Sequence, residues 1–257
     1  MFANQTNYKA RLTVAPQQTL VGVSRAPVLP LPGEAEFPSP PAIPSALLRL
    51  DLWLAEFVAD LADITSIIRS DIGLTVQVLR LAAHEIEKSP RRVVPIGEIV
   101  VDVGVEKLRT LLAGTGILPD RGGNNPGASV CERFWAHSRL TALVAEELAR
   151  QSSTVSSEEA YLAGLLCQLS ELPSLLGWVT TLSDGHDSRQ IGRRMAQSWG
   201  FPRDLVDVIG GDPTACRTRE SWALLDIVTD AGIWASRLEF LAARESESVR
   251  LKSPPYH

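Results

Sequence analysis

Cysteine is scarce in this chain of 257 residues, and its placement limits the structural classes that apply. The three cysteines, Cys131, Cys167 and Cys216, are far apart, odd in number and outside any C-x-x-C spacing. This arrangement argues against a disulfide-stabilised scaffold and predicts free thiols in a reducing compartment. We therefore expect a cytoplasmic protein.

Long apolar runs and runs of basic residues are also missing. No segment approaches the roughly 18 continuous apolar residues of a membrane span, and no apolar core follows a basic start. Arg91-Arg92 and Arg193-Arg194 are only pairs, and 25 Lys and Arg stand against 30 Asp and Glu, for a net charge of −5. An acidic chain without a basic patch disfavours binding to nucleic acid or to an anionic membrane. We expect neither as a partner.

The sequence fingerprints of several common enzyme classes are absent. The chain contains no Gly-x-Ser-x-Gly, no P-loop and no dinucleotide-binding motif, and Gly122-Gly123 lacks the strand-to-helix setting of a phosphate loop. Alternation of apolar and polar residues over a strand length is missing as well. We therefore predict an all-α fold, for which a hydrophobic content of 45% provides an ample core.

Proline and glycine divide the chain into segments. The N-terminal stretch is rich in proline without periodicity, which predicts a disordered leader that solubilises rather than docks. A later stretch rich in Gly, Asn and Pro cannot sustain a helix and predicts a linker between two lobes. The predicted segments are the leader 1–40, one domain 41–243 with lobes 41–114 and 128–243, the linker 115–127, and a C-terminal tail 244–257.

Apolar residues at three- and four-residue spacing predict the helices. Ser156 and Glu159 form a capping box before the central helix, and Asp51 or Asp60 is predicted to start a helix within the first apolar stripe. The residues predicted to face the core include Leu61, Leu81, Tyr161, Leu162, Leu165, Leu166 and Leu169. The last helix, about 220–243, is predicted to bury Leu224, Ile227, Val228, Ala231, Trp234 and Leu238.

The order of several motifs resembles the HDOD family, helical signal-output domains of bacteria that are related to the HD phosphohydrolases. The motifs that carry the resemblance are the segments 44–48, 70–82 (S-D-I-G-L-T-V-Q-V-L-R-L-A), 95–99 with 103–109, Phe134-Trp135-Ala136-His137-Ser138, Ala163-Gly164-Leu165-Leu166, Ile191-Gly192 and Trp199-Gly200-Phe201-Pro202. The resemblance covers roughly residues 40–243. It implies a two-lobed fold, with an N-terminal helical lobe and a C-terminal HD-like helical bundle, and a role in bacterial signal transduction.

The same resemblance implies which residues occupy the HD metal-site positions. An HD hydrolase gathers imidazoles and carboxylates on divalent metal, which activates a bound water. Mapped by motif, the chain keeps His137 and Asp230 but carries Cys167 and Gln168 where the central His-Asp pair belongs. A neutral amide replaces a carboxylate poorly, so we predict no catalytic residue, no cofactor and no metal.

Two interpretations of the remaining HD-site residues follow. The first expects His137 and Asp230 to form a partly buried, hydrogen-bonded pair left inside the core. The second uses Cys167 as a replacement zinc donor together with His137 and Asp230.

The chain departs from the family pattern at further positions. These are Ile72 in place of a proline, Ala83-His84 in place of Asn-Ser, Ser188 in place of a His with His186 out of register, and Gly210-Gly211-Asp212 near a later His pair.

Three functional hypotheses remain at this point. The first is a non-catalytic, regulatory HDOD-like module that binds a protein or small-molecule partner, in a groove between the lobes. The alternative is a divergent metal-dependent phosphohydrolase that acts on a nucleotide or phosphoester. A structural remnant used in oligomer assembly is the third. The tryptophans Trp135, Trp199 and Trp234 are interpreted as packing residues in each case.

Overall fold

The computed structural model describes residues 37–55, 60–88, 94–118, 126–152, 154–178, 188–211, 213–216 and 218–252. Within these residues the secondary structure is helical, apart from one isolated parallel bridge between Ala42 and Ile117. The predicted all-α fold is confirmed. Residues 1–36 of the predicted leader, residues 119–125 of the predicted linker and residues 253–257 lie outside the described residues. None of the described helices has the length and apolarity that crossing a bilayer requires.

Five helices occupy the N-terminal half of the described chain. They are α1 (Pro44–Ala55), α2 (Leu61–Arg69), α3 (Ile72–Lys88), α4 (Ile96–Val103) and α5 (Val105–Gly114). Asp60, one of the two predicted helix starts, caps α2 by accepting a hydrogen bond from Ala62 N at 2.8 Å. Gly104 separates α4 from α5 with a φ of 76° and a ψ of 161°. This positive φ favours glycine, and the same residue ends α4 and begins α5.

Six helices follow in the C-terminal half of the described chain. They are α6 (Pro126–Gln151), α7 (Ser157–Leu166), α8 (Leu172–Leu175), α9 (Ser188–Ser198), α10 (Arg203–Gly210) and α11 (Arg219–Lys252), with short 3-10 helices at Leu169–Glu171 and Pro213–Ala215. Helix α6 begins at Pro126, two residues before the predicted start of the second lobe at 128. Proline is tolerated there because an N–H in the first turn of a helix has no partner within the helix. Helix α11 continues beyond 243 into the predicted tail. Its apolar periodicity stops there, but residues such as Arg, Glu, Leu and Lys retain high helix propensity.

The extensive helix packing among the described residues falls into two sets. Helices α1 to α5 pack on one another and form the first helix group, and α6 to α11 pack on one another and form the second helix group. The most extensive pairing is that of α6 with α7. Gly164 of α7 makes it possible, since an added Cβ would lie 2.9 Å from Ala142 Cα and 3.0 Å from Ala145 Cβ.

Asp71 ties the segment before α1 to the start of α3. Its side chain is fully buried and accepts hydrogen bonds from Leu74 N at 2.8 Å and from Ile43 N at 2.9 Å. Burial raises the pKa of Asp71 to about 6, against the opposing effect of these two N–H groups. Gly73 allows the segment to cross α3, because an added Cβ would lie 2.3 Å from Pro41 O.

Several predicted core positions are exposed. The central helix is as predicted, with its apolar stripe buried and Ser156 Oγ accepting from Glu159 N at 3.1 Å. Trp135 and Trp199 are also buried. The residues that instead lie at the surface are Leu61 (42% exposed), Leu81 (41%), Trp234 (48%) and Leu238 (43%). Helical periodicity identifies an apolar face, but it does not show how far along that face a neighbouring helix extends.

Candidate functional site

His137 projects from α6 toward α11, where it meets a residue that the sequence analysis did not single out. Its Nδ1 lies 3.0 Å from Glu239 Oε2, and the imidazole is largely shielded from solvent. Glu239 follows the buried Ala235 by four residues, which places both on the same face of α11. A charged residue in line with the buried residues of this helix was the sequence signal that could have identified Glu239.

Asp230 lies elsewhere on α11. It is exposed, and it precedes Glu239 by nine residues, which places it about 13.5 Å away along the helix and on the opposite side. Because His137 pairs with Glu239, the expected buried pair of His137 and Asp230 is wrong. Asp230 thus lies on the same helix as Glu239, but on the side that faces away from His137.

The two residues at the central HD position lie at the end of α7. Cys167 Sγ donates to Gly164 O at 3.2 Å, and burial raises the pKa of the thiol to about 12. Gln168 precedes the 3-10 helix Leu169–Glu171, and its carbonyl accepts from Glu171 N at 3.0 Å.

A groove where the two helix groups meet is the more developed site. It has a volume of about 640 Å³ and is bordered by α2 and α4 of the first helix group and by α6 and α7 of the second. We call it the Arg69 groove. Its lining includes Leu61, Thr65, Arg69, Arg139, Leu143 and Tyr161.

Arg69 connects the helix groups at the floor of this groove. Its guanidinium carbon lies 3.9 Å from the centre of the Tyr161 ring, and its amino groups lie 3.0 Å from Glu146 and 3.5 Å from Glu158. In return, the Tyr161 hydroxyl donates to the backbone carbonyl of Arg69 at 2.7 Å. These contacts combine a cation–π interaction, one charge-assisted hydrogen bond to Glu146 and an ion pair with Glu158 on one partly buried side chain.

The Arg69 groove also offers unused binding capacity. Arg69 Nε and Thr65 Oγ1 are buried and have no hydrogen-bond partner within the described residues. Leu61 and Leu143 leave 42% and 46% of their surface exposed on opposite walls. A ligand with an oxygen acceptor and an apolar portion would satisfy both features.

The family model for the HDOD domain matches residues 41–178, which is more than half of the chain. The chain belongs to the HDOD family. The match includes the whole first helix group together with α6, α7 and α8 of the second.

Relatives of this HDOD chain extend the comparison. An uncharacterized protein of Treponema pallidum (strain Nichols) is 25% identical over 192 aligned positions, and the match covers 66% of this chain and 36% of that longer protein. A crystal structure of a fragment of the MmoQ response regulator from Methylococcus capsulatus str. Bath matches with a TM-score of 0.58 at 18% identity, covering 85% of this chain and 93% of that one. A second MmoQ structure matches with a TM-score of 0.57 at 16% identity, covering 77% and 86%. At these identities the likeness concerns the fold.

The predicted metal donors of this HDOD chain are not brought together within the described residues. In this part of the chain, no group of three or more His, Cys, Asp or Glu side chains is close enough to hold an ion. His137 contacts Glu239, and Asp230 lies on the opposite side of α11 from Glu239. His186 and the side chain of His84 lie outside the described part of the chain. The replacement zinc site of His137, Cys167 and Asp230 is therefore not assembled.

Proposed function

We propose that this HDOD chain is a non-catalytic regulatory module that binds a protein or small-molecule partner in the Arg69 groove. The observation that carries the proposal is the position of Arg69, which holds the two helix groups together while its Nε has no hydrogen-bond partner among the described residues. A partner that binds there would contact both groups at once. Its binding would then favour one relative arrangement of the groups over another.

Membership of the HDOD family favours a role in signalling. The solved proteins of similar fold include a response regulator, MmoQ, and the resemblance to HDOD domains implies a signal-output domain. A bacterial cytoplasm is the proposed location, in agreement with three free cysteines. We propose neither nucleic acid nor a membrane as the partner, because the chain carries a net charge of −5.

The first test is metal analysis of untagged protein. We expect far less than one equivalent of zinc, manganese or iron, and we expect His137→Ala to leave the metal content unchanged, because His137, Cys167 and Asp230 do not converge on one point. Phosphoester substrates should not be turned over. Near-stoichiometric metal that His137→Ala or Cys167→Ala removes, together with phosphate release, would support the phosphohydrolase alternative and contradict the proposal.

The second test examines the groove itself. Partners are isolated on immobilised wild-type protein, identified, purified and titrated against Arg69→Gln, Arg139→Gln and the control Arg194→Gln, whose side chain is exposed on α9. Loss of a hydrogen bond to a charged group costs about 1.5 to 3 kcal/mol, so we expect the Arg69 variant to bind at least about tenfold more weakly. The control should bind like wild type.

Arg139→Gln provides a second groove variant in case Arg69→Gln does not fold, since Arg139 is exposed on the groove wall. If a purified partner binds wild type and both groove variants with equal affinity, the Arg69 groove is not its binding site. Unchanged oligomeric state in all variants separates partner binding from the oligomer-assembly hypothesis.

A further inference from the structure

A second cavity lies in the first helix group, away from the Arg69 groove. It has a volume of about 490 Å³ and lies between the later part of α3 and helix α5, beside the segment that precedes α1. We call it the Lys107 pocket. Its lining includes Ser39, Gln77, Arg80, Leu81, Lys107 and Thr110, and none of the described residues that line it is acidic. This local excess of positive charge contrasts with the net charge of −5 of the chain.

The two cations of the Lys107 pocket differ in how they are held. Arg80 Nη1 donates to Ser39 Oγ, which fixes its guanidinium at the cavity wall. Lys107 is exposed, and within the described residues no carboxylate lies within ion-pair distance of it. The lysine therefore has its full hydrogen-bonding capacity available, and the arginine retains donors that Ser39 does not use.

Gln77 adds a polar side chain to the same wall. Its side-chain amide lies 2.9 Å from the Thr115 hydroxyl, which lies 2.8 Å from Leu111 O. Because a hydroxyl has one hydrogen and donates it to Leu111 O, the amide satisfies this contact by turning its Nε2 donor toward Thr115. An oxygen acceptor inside the pocket would meet the two cations, Arg80 and Lys107, at the same time.

We propose that the Lys107 pocket binds a small organic anion, a phosphate monoester or a carboxylate. Its charged oxygens face Lys107 and Arg80, and its apolar portion lies against Leu81, which is 41% exposed. The volume falls within the range of small-molecule sites, about 300 to 1,000 Å³, and exceeds what a bare inorganic ion needs. Phosphate and carboxylate present the same acceptor chemistry to Arg and Lys.

The pocket is placed to influence the contact between the helix groups. The guanidinium carbon of Arg80 lies 6.0 Å from the centre of the Trp199 ring, which belongs to the second helix group. Trp199 Nε1 in turn donates to Phe37 O at 3.3 Å. Because the same guanidinium faces both the pocket and Trp199, an anion bound there alters the cation–π contact that joins the groups.

The experiment is calorimetric titration of the full chain with phenyl phosphate, benzoate and inorganic phosphate. Wild type is compared with Lys107→Gln, Arg80→Gln and the control Arg49→Gln, which removes one charge from an exposed position on α1. We expect saturable binding of phenyl phosphate or benzoate, weaker binding of inorganic phosphate, and binding at least about tenfold weaker in Lys107→Gln. Arg49→Gln should bind like wild type. The tighter of the two aromatic probes identifies the anion class.

Lys107→Gln changes an exposed side chain, so its folding is not at risk and the test does not depend on Arg80→Gln. No saturable binding of either aromatic probe would overturn the proposal. So would binding that Lys107→Gln leaves unchanged. The Lys107 pocket and the Arg69 groove share no lining residue, so failure here leaves the proposed function untouched.

Discussion

Replacing Asp71 by alanine is expected to lower the free energy of unfolding by about 2 to 6 kcal/mol near pH 4, because two buried N–H groups lose their acceptor at about 1 to 3 kcal/mol each. These are the N–H groups of Ile43 and Leu74, one on each side of the junction that Asp71 holds. The Asp71 carboxyl group also caps α3, so the first turn of that helix loses its stabilisation as well. Denaturant unfolding followed by circular dichroism measures the change.

The effect of Asp71 depends on pH in a defined direction. Its pKa is about 6 when folded and 3.8 ordinarily, so the folded chain binds a proton that the unfolded chain has released. This contribution to stability is fully present below the ordinary pKa and is lost as pH rises through 6. The difference between wild type and Asp71→Ala should therefore shrink by about 2 kcal/mol between pH 4 and pH 7.5.

An exposed acidic residue provides the control for Asp71. Asp226 lies on the solvent side of α11, and Asp226→Ala removes the same charge without leaving a buried donor unpaired. Its stability should match wild type at both pH values. Asp71→Ala with wild-type stability, or with a difference from wild type that grows as pH rises, would show that the buried carboxylate does not hold the junction.

Replacing Gly164 by alanine should destabilise the protein by about 1 to 3 kcal/mol, although alanine is the better helix former. The added Cβ would lie 2.9 Å from Ala142 Cα, 3.0 Å from Ala145 Cβ and 3.0 Å from Thr141 O. Two of these atoms belong to the backbone of α6, so the clash cannot be relieved by a rotamer change. The whole α6–α7 pairing must separate instead.

Gly232 is the matched control for Gly164. It also lies inside a helix, α11, but nothing lies within 4 Å of the position where its Cβ would stand. Gly232→Ala should stabilise the protein by about 0.5 to 1 kcal/mol through helix propensity alone. Thermal unfolding of the two variants should therefore give shifts of opposite sign. Shifts of the same sign would mean that α6 and α7 do not approach as closely as the structure indicates.

Both of these variants test the scaffold rather than the binding surfaces. Asp71 holds the first helix group together, and Gly164 allows α7 to lie against α6, beside the end of α7 that carries Cys167. Tyr161 lies on the same helix and reaches Arg69 across the boundary between the groups. Close packing of α6 and α7 is thus the condition under which the Arg69 groove forms.

The helical architecture was predictable from the sequence, because helix caps and apolar periodicity depend on interactions within a few residues. Asp60 and Ser156 cap the helices that they were predicted to start, and the stripe from Tyr161 to Leu169 is buried as expected. The HDOD family was also identified from the sequence, through the order of its motifs along most of the chain.

Which side chains meet became clear only from the packing of the helices. His137 contacts Glu239 rather than Asp230, because the rotation and crossing of α6 and α11 select one side of a long helix. Leu61, Leu81 and Trp234 have the periodicity of core residues but remain exposed, because no neighbouring helix covers them in the described structure. The Arg69 groove and the Lys107 pocket follow from the same cause, since both require residues distant in sequence to be packed side by side.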